Sequence, residues 1–277
     1  MKRMMGMLLV LAMVFSLAAC GEKTVEPPKE QVQQAQQPDV EYSFAVSTDV
    51  YEDIGTAEDG TVLLRVRYEL PHLDIVPEMS DDGAVDAQML AVQQTFNTEM
   101  ERQRSAEIEF FDIQGDTARE DYAYAPKYWN AYADEMTMGP IYQTDGGLLS
   151  IYESAYIYTG GAHPTNGFFM WNYDLNEGKF LQYNDFTDDE EAFRAAVAKE
   201  ILQQIDEQGF AEGLFEDYEA SVEELSYADV CFSAEGMTVC FPEYILGPHA
   251  AGLPSFIVPY ETINSAMNDY GRALLNL

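Results

Sequence analysis

Between residues 61 and 70 the chain reads TVLLRVRYEL, and its apolar positions fall on every second residue. Val62, Leu64, Val66, Tyr68 and Leu70 share one face, with Arg65, Arg67 and Glu69 on the other. A period of two predicts a half-buried strand. From Val85 the spacing changes. Val85, Met89, Val92, Phe96 and Met100 recur at intervals of three and four, which predicts a helix running to about Arg104. Residues 121–132, DYAYAPKYWNAY, are crowded with aromatics but hold no period, and read as a loop or irregular helix.

A second alternating segment spans 147–158. Leu149, Ile151, Ala155 and Ile157 face one way, and Ser150, Tyr152, Ser154, Tyr156 and Tyr158 the other. After a Gly-Gly interruption, GFFMWNYDL reads as the returning strand, and DLNEGK as a turn in which Gly178 takes a positive φ. The segment beginning FTDDEEAF predicts a helix. Thr187 and Glu190 stand at capping-box spacing, Phe193, Val197, Ile201 and Ile205 form the apolar stripe, and Gly209 ends it. A hairpin over 229–241, a short strand over 255–259 and a terminal helix from Tyr260 complete the pattern. Strands come in runs and helices in blocks, so the fold class expected is α+β, with mainly antiparallel sheet packed by a few amphipathic helices.

The first residues carry a different pattern. Lys2 and Arg3 precede the apolar run Met4–Leu17. As a helix that run reaches about 21 Å, short of the ~30 Å hydrocarbon core, so it reads as an export signal over residues 1–19 rather than a span. Leu17-Ala18-Ala19-Cys20 resembles a bacterial lipobox. The resemblance implies cleavage before Cys20, lipidation of that cysteine, and a stable anchor on the outer face of the cytoplasmic membrane. Residues 21–40, rich in Gln, Pro and charge, read as a tether spanning about 25 Å.

Charge narrows the partners. The chain holds 14 Lys+Arg against 49 Asp+Glu, a formal charge of −35. Loss of Lys2 and Arg3 with the signal leaves 12 basic residues and −37. Nucleic acid is excluded as a partner, because nothing here neutralises phosphates. A field of this sign draws metal ions or a basic protein, and it also serves solubility.

The cysteines and histidines supply few candidate sites. If Glu235-Gly236 make a two-residue turn, Cys231 stands opposite Cys240 and a disulfide follows outside the cell. A three-residue turn instead puts them on opposite faces. His72, His163 and His249 lie far apart in sequence, without HxxxH or CxxC spacing, so no metal site and no cofactor is expected. DLNEG starts like a calcium loop but lacks the glycine and glutamate that complete one. No GxSxG motif and no phosphate-cradling loop occurs, and among 49 acids a catalytic carboxylate pair has no distinguishing mark. The tyrosine face of 147–158, with Tyr122, Tyr124, Tyr128 and Trp129, reads either as a stacking platform for sugars or as a stripe packed against a helix. In YTGGAHPTNG, His163 reads as a hydrogen-bonder tying a tight turn, or as part of a displayed contact loop.

The order YTGGAHP, NYDLNEGKFLQYNDF, a helix, then FSAEGMTVCFPEYILGPHAAGLPSFIVPYETI resembles the extracellular domain of RsiV-type anti-sigma factors, which sense lysozyme. A similar region accompanies some peptidoglycan deacetylase domains. The resemblance covers about residues 145–268 and implies a C-terminal domain over 145–277, with residues 41–144 as the N-terminal half of the same region. It implies a noncatalytic binding module whose contacts lie in Tyr158–Thr165 and Pro242–Gly252, through Tyr158, Gly160, Gly161, His163, Thr165, Tyr244, Pro248 and His249. His249 stands where that family often has an aromatic residue. The chain shows neither a sigma-binding region, a transmembrane helix nor a deacetylase domain, so the expectation is a lipid-anchored surface protein. Its ligand is a basic protein such as lysozyme or, alternatively, peptidoglycan.

Overall fold

The computed structural model describes residues 42–77 and 85–277. Cys20, the export signal and the tether lie outside the described residues. The described residues belong to one compact unit.

Six strands make the main sheet in chain order: β1 (Tyr42–Thr56), β2 (Val62–Pro77), β3 (Tyr132–Gln143), β4 (Leu148–Tyr158), β5 (Thr165–Asp174) and β6 (Lys179–Phe180). All neighbours are antiparallel except β2 and β3, which run parallel from Leu64↔Tyr132 to Tyr68↔Met136. A parallel pair needs a crossover, and helix α1 (Ala87–Tyr124) supplies it. The sheet runs unbroken across position 144/145. A second sheet holds β7 (Asp229–Phe232), β8 (Met237–Cys240) and β9 (Ser255–Val258). Helix α2 (Glu190–Gln208) packs on it, with α3 (Tyr218–Glu223), α4 (Tyr260–Ile263) and α5 (Asp269–Leu275) around its rim. The α+β class with mainly antiparallel sheet is what forms.

Local expectations hold where one face is apolar and fail elsewhere. The α2 stripe Phe193, Val197, Ile201 and Ile205 is buried, and Gly209 ends the helix with φ 65°. The helix starts two residues later than the capping box implies. Asp189 is the N-cap and accepts from the Ala192 amide at 3.0 Å, while the Thr187 hydroxyl donates to the Ala266 carbonyl at 2.6 Å. Helix α1 passes Arg104 and reaches Tyr124, so residues 121–124 are helical, and the 3-10 turn Pro126–Tyr128 and residues 129–131 lead from it into β3. The terminal helix expected from Tyr260 is broken in two, α4 and α5, by a 3-10 turn over Asn264–Ala266.

The hairpin register differs from both turns considered for it. Phe232 pairs with Met237, so the loop takes four residues. Cys231 faces Thr238 and Cys240 faces Asp229: the cysteines share a face but stand one diagonal apart, and both thiols are free. Ser233 sets this turn. Its amide donates to the Gly236 carbonyl at 2.9 Å and its hydroxyl accepts from the Glu235 amide at 3.2 Å. Gly236 is pressed so close to β9 that a Cβ there would lie 2.3 Å from the Val258 carbonyl oxygen.

The two sheets are joined by a polar clamp. β7 is an edge strand, and its outward backbone groups meet side chains of the main sheet. The Ser150 hydroxyl donates to Asn172 Oδ1, Asn172 Nδ2 donates to the Val230 carbonyl, and the Phe232 amide donates to Ser150 Oγ, each at 2.7 Å. Ser150 and Asn172 are buried, and β7 gains partners for groups that burial would otherwise leave unpaired.

The other face of the main sheet carries α1 over two apolar clusters, one around Leu64, Tyr68 and Phe111, the other around Phe96, Leu149 and Tyr173. Between them runs a polar belt of Gln103, Glu107, Asp134 and Glu153. The Tyr68 hydroxyl donates to Asp134 at 3.0 Å, and Trp171 Nε1 donates to Glu153. The other Glu153 oxygen and both Gln103 amide atoms have no partner. Burial pushes Glu153 up to about 7, against a weaker opposing effect of the Trp171 bond, and burial also raises Glu107 and Asp134.

Two predictions follow from these contacts. Asn172→Leu leaves the Val230 carbonyl unpaired in the interior and costs about 2–3 kcal/mol, readable as a lower urea midpoint. Glu153 is raised in the folded state, so its contribution is fully present below its ordinary value of 4.5 and is lost as pH rises through about 7. Glu153→Gln therefore stabilises the protein at pH 8 by up to roughly 3 kcal/mol and leaves it little changed at pH 4, measured by denaturation at both pH values.

Candidate functional site: a two-loop contact surface

The Gly-Gly interruption after β4 is a turn that only glycine makes easily. Gly160 and Gly161 have φ of 87° and 92°, and the Tyr158 hydroxyl donates back to the Gly161 carbonyl at 3.2 Å. This reversal carries His163 outward to an exposed position, where Nδ1 donates to the Pro164 carbonyl at 3.0 Å.

The Pro242–Gly252 segment leaves β8 and returns to the same place. His249 stacks on His163 with ring centroids 3.8 Å apart and 17° between planes, and Tyr244 lies beside His249 with ring centroids 6.2 Å apart. Beneath them lies Glu243, its side chain 3% exposed. One carboxylate oxygen accepts from Asn166 Nδ2 at 2.7 Å and the Asn166 amide at 3.3 Å, and the other accepts from His249 Nδ1 at 3.1 Å. Burial works to raise the Glu243 carboxyl, but the bonds from Asn166 and His249 outweigh it and hold it below the usual carboxylate range. Glu243 thus fastens the second loop to the start of β5.

Tyr244 is exposed by 52% with φ 68°. A bulky residue in the left-handed region costs about 1–2 kcal/mol, and such strain collects at functional sites. The eight residues singled out from the sequence fall on these two loops: Tyr158, Gly160, Gly161, His163 and Thr165 on the first, Tyr244, Pro248 and His249 on the second. Thr165, Gly161 and Pro248 are exposed, and Tyr158 and Gly160 half-buried. Sequence reasoning missed Glu243 and Asn166. Among 49 acids Glu243 has no mark except its place beside Tyr244.

The same Gly-Gly turn borders a cleft of about 380 Å³ on its other side, with Asp121, Tyr124, Tyr128, Trp129, Tyr132 and Tyr158 along its walls. Tyr124 and Tyr128 are 92% and 77% exposed. The tyrosine face of β4 is not one platform, since Tyr152 packs inside against Phe168 and only the Tyr158 end reaches the cleft. Among the described residues no three His, Cys, Asp or Glu side chains are grouped to hold a metal, and no helix is long and apolar enough to cross a membrane.

Residues 184–261 match a family model described as a protein of unknown function, DUF3298. Two solved structures share the fold. A DUF3298-family member from Bacteroides fragilis aligns at TM-score 0.61 and 13% identity, covering 83% of this chain and 96% of that one. A DUF3298-family protein from Pseudomonas aeruginosa aligns at TM-score 0.50 and 16% identity, covering 82% and 96%. No curated protein matches the chain. The DUF3298 segment contains the Pro242–Gly252 loop, whereas the Tyr158–Thr165 loop precedes it, so the surface is assembled from inside and outside the matched region.

Glu243→Ala removes the shared acceptor of Asn166 and His249 and costs about 2 kcal/mol. The His163 ring protons then lose the ring-current displacement that the stack imposes, which proton NMR of the variant detects.

Proposed function

We propose that this chain is a noncatalytic binding module of an exported, lipid-anchored surface protein, and that it captures a basic extracellular protein such as lysozyme. The observation that carries the reading is the meeting of two loops, distant in sequence, whose exposed His163 stacks on His249 beside the strained Tyr244. The RsiV resemblance assigns contacts to these same loops. The formal charge of −35 favours a cationic partner and speeds its arrival.

The test is calorimetric titration of the chain carrying Cys20→Ser with lysozyme at two salt concentrations. Saturable one-to-one binding that persists at ~0.15 M salt, where the Debye length is ~8 Å, supports a specific interface. His163→Ala and Tyr244→Ala each weaken that binding about tenfold or more, with the thermal midpoint within a few degrees of the parent. Heat that vanishes with salt, or variants of unchanged affinity, overturns the reading.

The Tyr124–Tyr128 cleft favours a second reading, a binder of peptidoglycan glycan. Exposed aromatic faces beside a carboxylate suit a sugar ring. Sedimentation with purified peptidoglycan that survives high salt and is lost in a Tyr124→Ala, Tyr128→Ala double variant would support it over protein capture.

A further inference from the structure

Cys231 and Cys240 take no part in either surface. Their side chains leave the same face of the β7–β8 pair, with Cys231 opposite Thr238 and Cys240 opposite Asp229. That face lies against Met170 of β5. The three sulfur-bearing side chains form one buried cluster, walled by Tyr152 and Phe168. Both cysteines also line a cleft of about 520 Å³, bordered by Pro140, Leu253 and Ile257, through which a small solute can reach them. Both thiols are free.

Spacing discriminates between two kinds of chemistry. A disulfide requires Cα atoms within about 6.8 Å and a sulfur–sulfur bond of about 2.05 Å. Diagonal positions of an antiparallel pair stand roughly 7–8 Å apart, too wide for that bond without backbone movement. A metal ion between the sulfurs adds two bonds of about 2.3 Å each and spans roughly 4 Å between them. Thiolate and thioether donors select soft ions, Cu(I) above all, and are poor ligands for hard cations. We propose that Cys231, Cys240 and Met170 form a three-sulfur site for a soft monovalent metal ion, Cu(I), reached through the cleft beside β9.

Binding needs no redox step. The Cu(I) ion enters, each thiol releases its proton to solvent as its sulfur–copper bond forms, and the Met170 thioether donates a lone pair. Copper stays at +1 and two protons leave per ion. Burial pushes the Cys231 thiol up to about 11 and the Cys240 thiol up to about 12, so the empty site is a neutral dithiol at pH 7. The other titratable groups facing the cluster and its cleft are Asp229 at the start of β7, Tyr152 of β4, Glu235 in the β7–β8 turn and Tyr260 of α4; Asp229, Tyr152 and Tyr260 are raised chiefly by burial. Because the metal displaces protons from the thiols, apparent affinity rises with pH. Zinc is disfavoured, since it prefers four nitrogen or sulfur ligands.

The experiment is anaerobic titration of the full chain carrying Cys20→Ser, which leaves two of its three cysteines, with Cu(I) held by the chelator bicinchoninate. The result expected is transfer of one copper per chain, loss of thiol reactivity, and a sulfur-to-copper absorption in the near ultraviolet. Cys231→Ser and Cys240→Ser abolish transfer. Met170→Leu keeps both thiols and the packing volume and weakens transfer about tenfold; it keeps the test decisive where a serine variant fails to fold. No transfer to the folded chain overturns the proposal. So does Met170→Leu with unchanged affinity, or an isolated chain without free thiols and lighter by two hydrogens, which would be a disulfide.

Discussion

The clamp of Ser150 and Asn172 on the outer edge of β7 is the contact on which the rest of this molecule depends. An edge strand buried against another sheet leaves its backbone groups without water or ladder partners. Two side chains from adjacent strands of the main sheet supply those partners, with 2.7 Å bonds throughout. Hydrogen bonds of fixed geometry set register in a way that apolar contact does not. With β7 held, β8 is placed, and the chain leaving β8 at Phe241 must emerge beside the start of β5. The second contact loop is brought to the first by this chain of constraints.

The same docking explains why both faces of the main sheet are buried differently. One face receives the small sheet and its α2 layer, with Cys231 and Cys240 coming to rest on Met170. The other receives α1, whose long contact includes a belt of ionisable groups. Carboxyls kept neutral by burial cost little at acid pH and more as the medium becomes alkaline. The belt separates two apolar clusters that would otherwise merge, and it leaves Gln103 and Glu153 with unsatisfied atoms.

The contact surface itself rests on one buried carboxylate. Glu243 accepts from Asn166 at the start of β5 and from His249 in its own loop, and charge-assisted bonds of this kind are stronger than neutral ones. The exposed part is a row of three rings, His163, His249 and Tyr244, displayed by two strand ends. Displayed side chains on short, fastened loops lose little entropy when they engage a partner.

What the sequence determined by itself are the elements with one clean apolar face. Alternation marked β2 and β4, and the four-residue stripe marked α2 with its terminal glycine, because burial of one face imposes its period on the residues. Helix α1 was legible only to Arg104, since Gln103 and Glu107 occupy core positions and erase the apolar period beyond it. The edge strand β1 and the strand β3 escaped notice for a related reason: solvent takes much of β1, and Asp134 sits on the buried face of β3. Both loops were visible through their glycines, prolines and histidines. Only the tertiary structure decided that they meet, which carboxylate joins them, and how the hairpin register sets the cysteines. Those outcomes depend on backbone groups of β7 finding Ser150 and Asn172 some sixty to eighty residues away. Local periodicity carries no record of such a pairing.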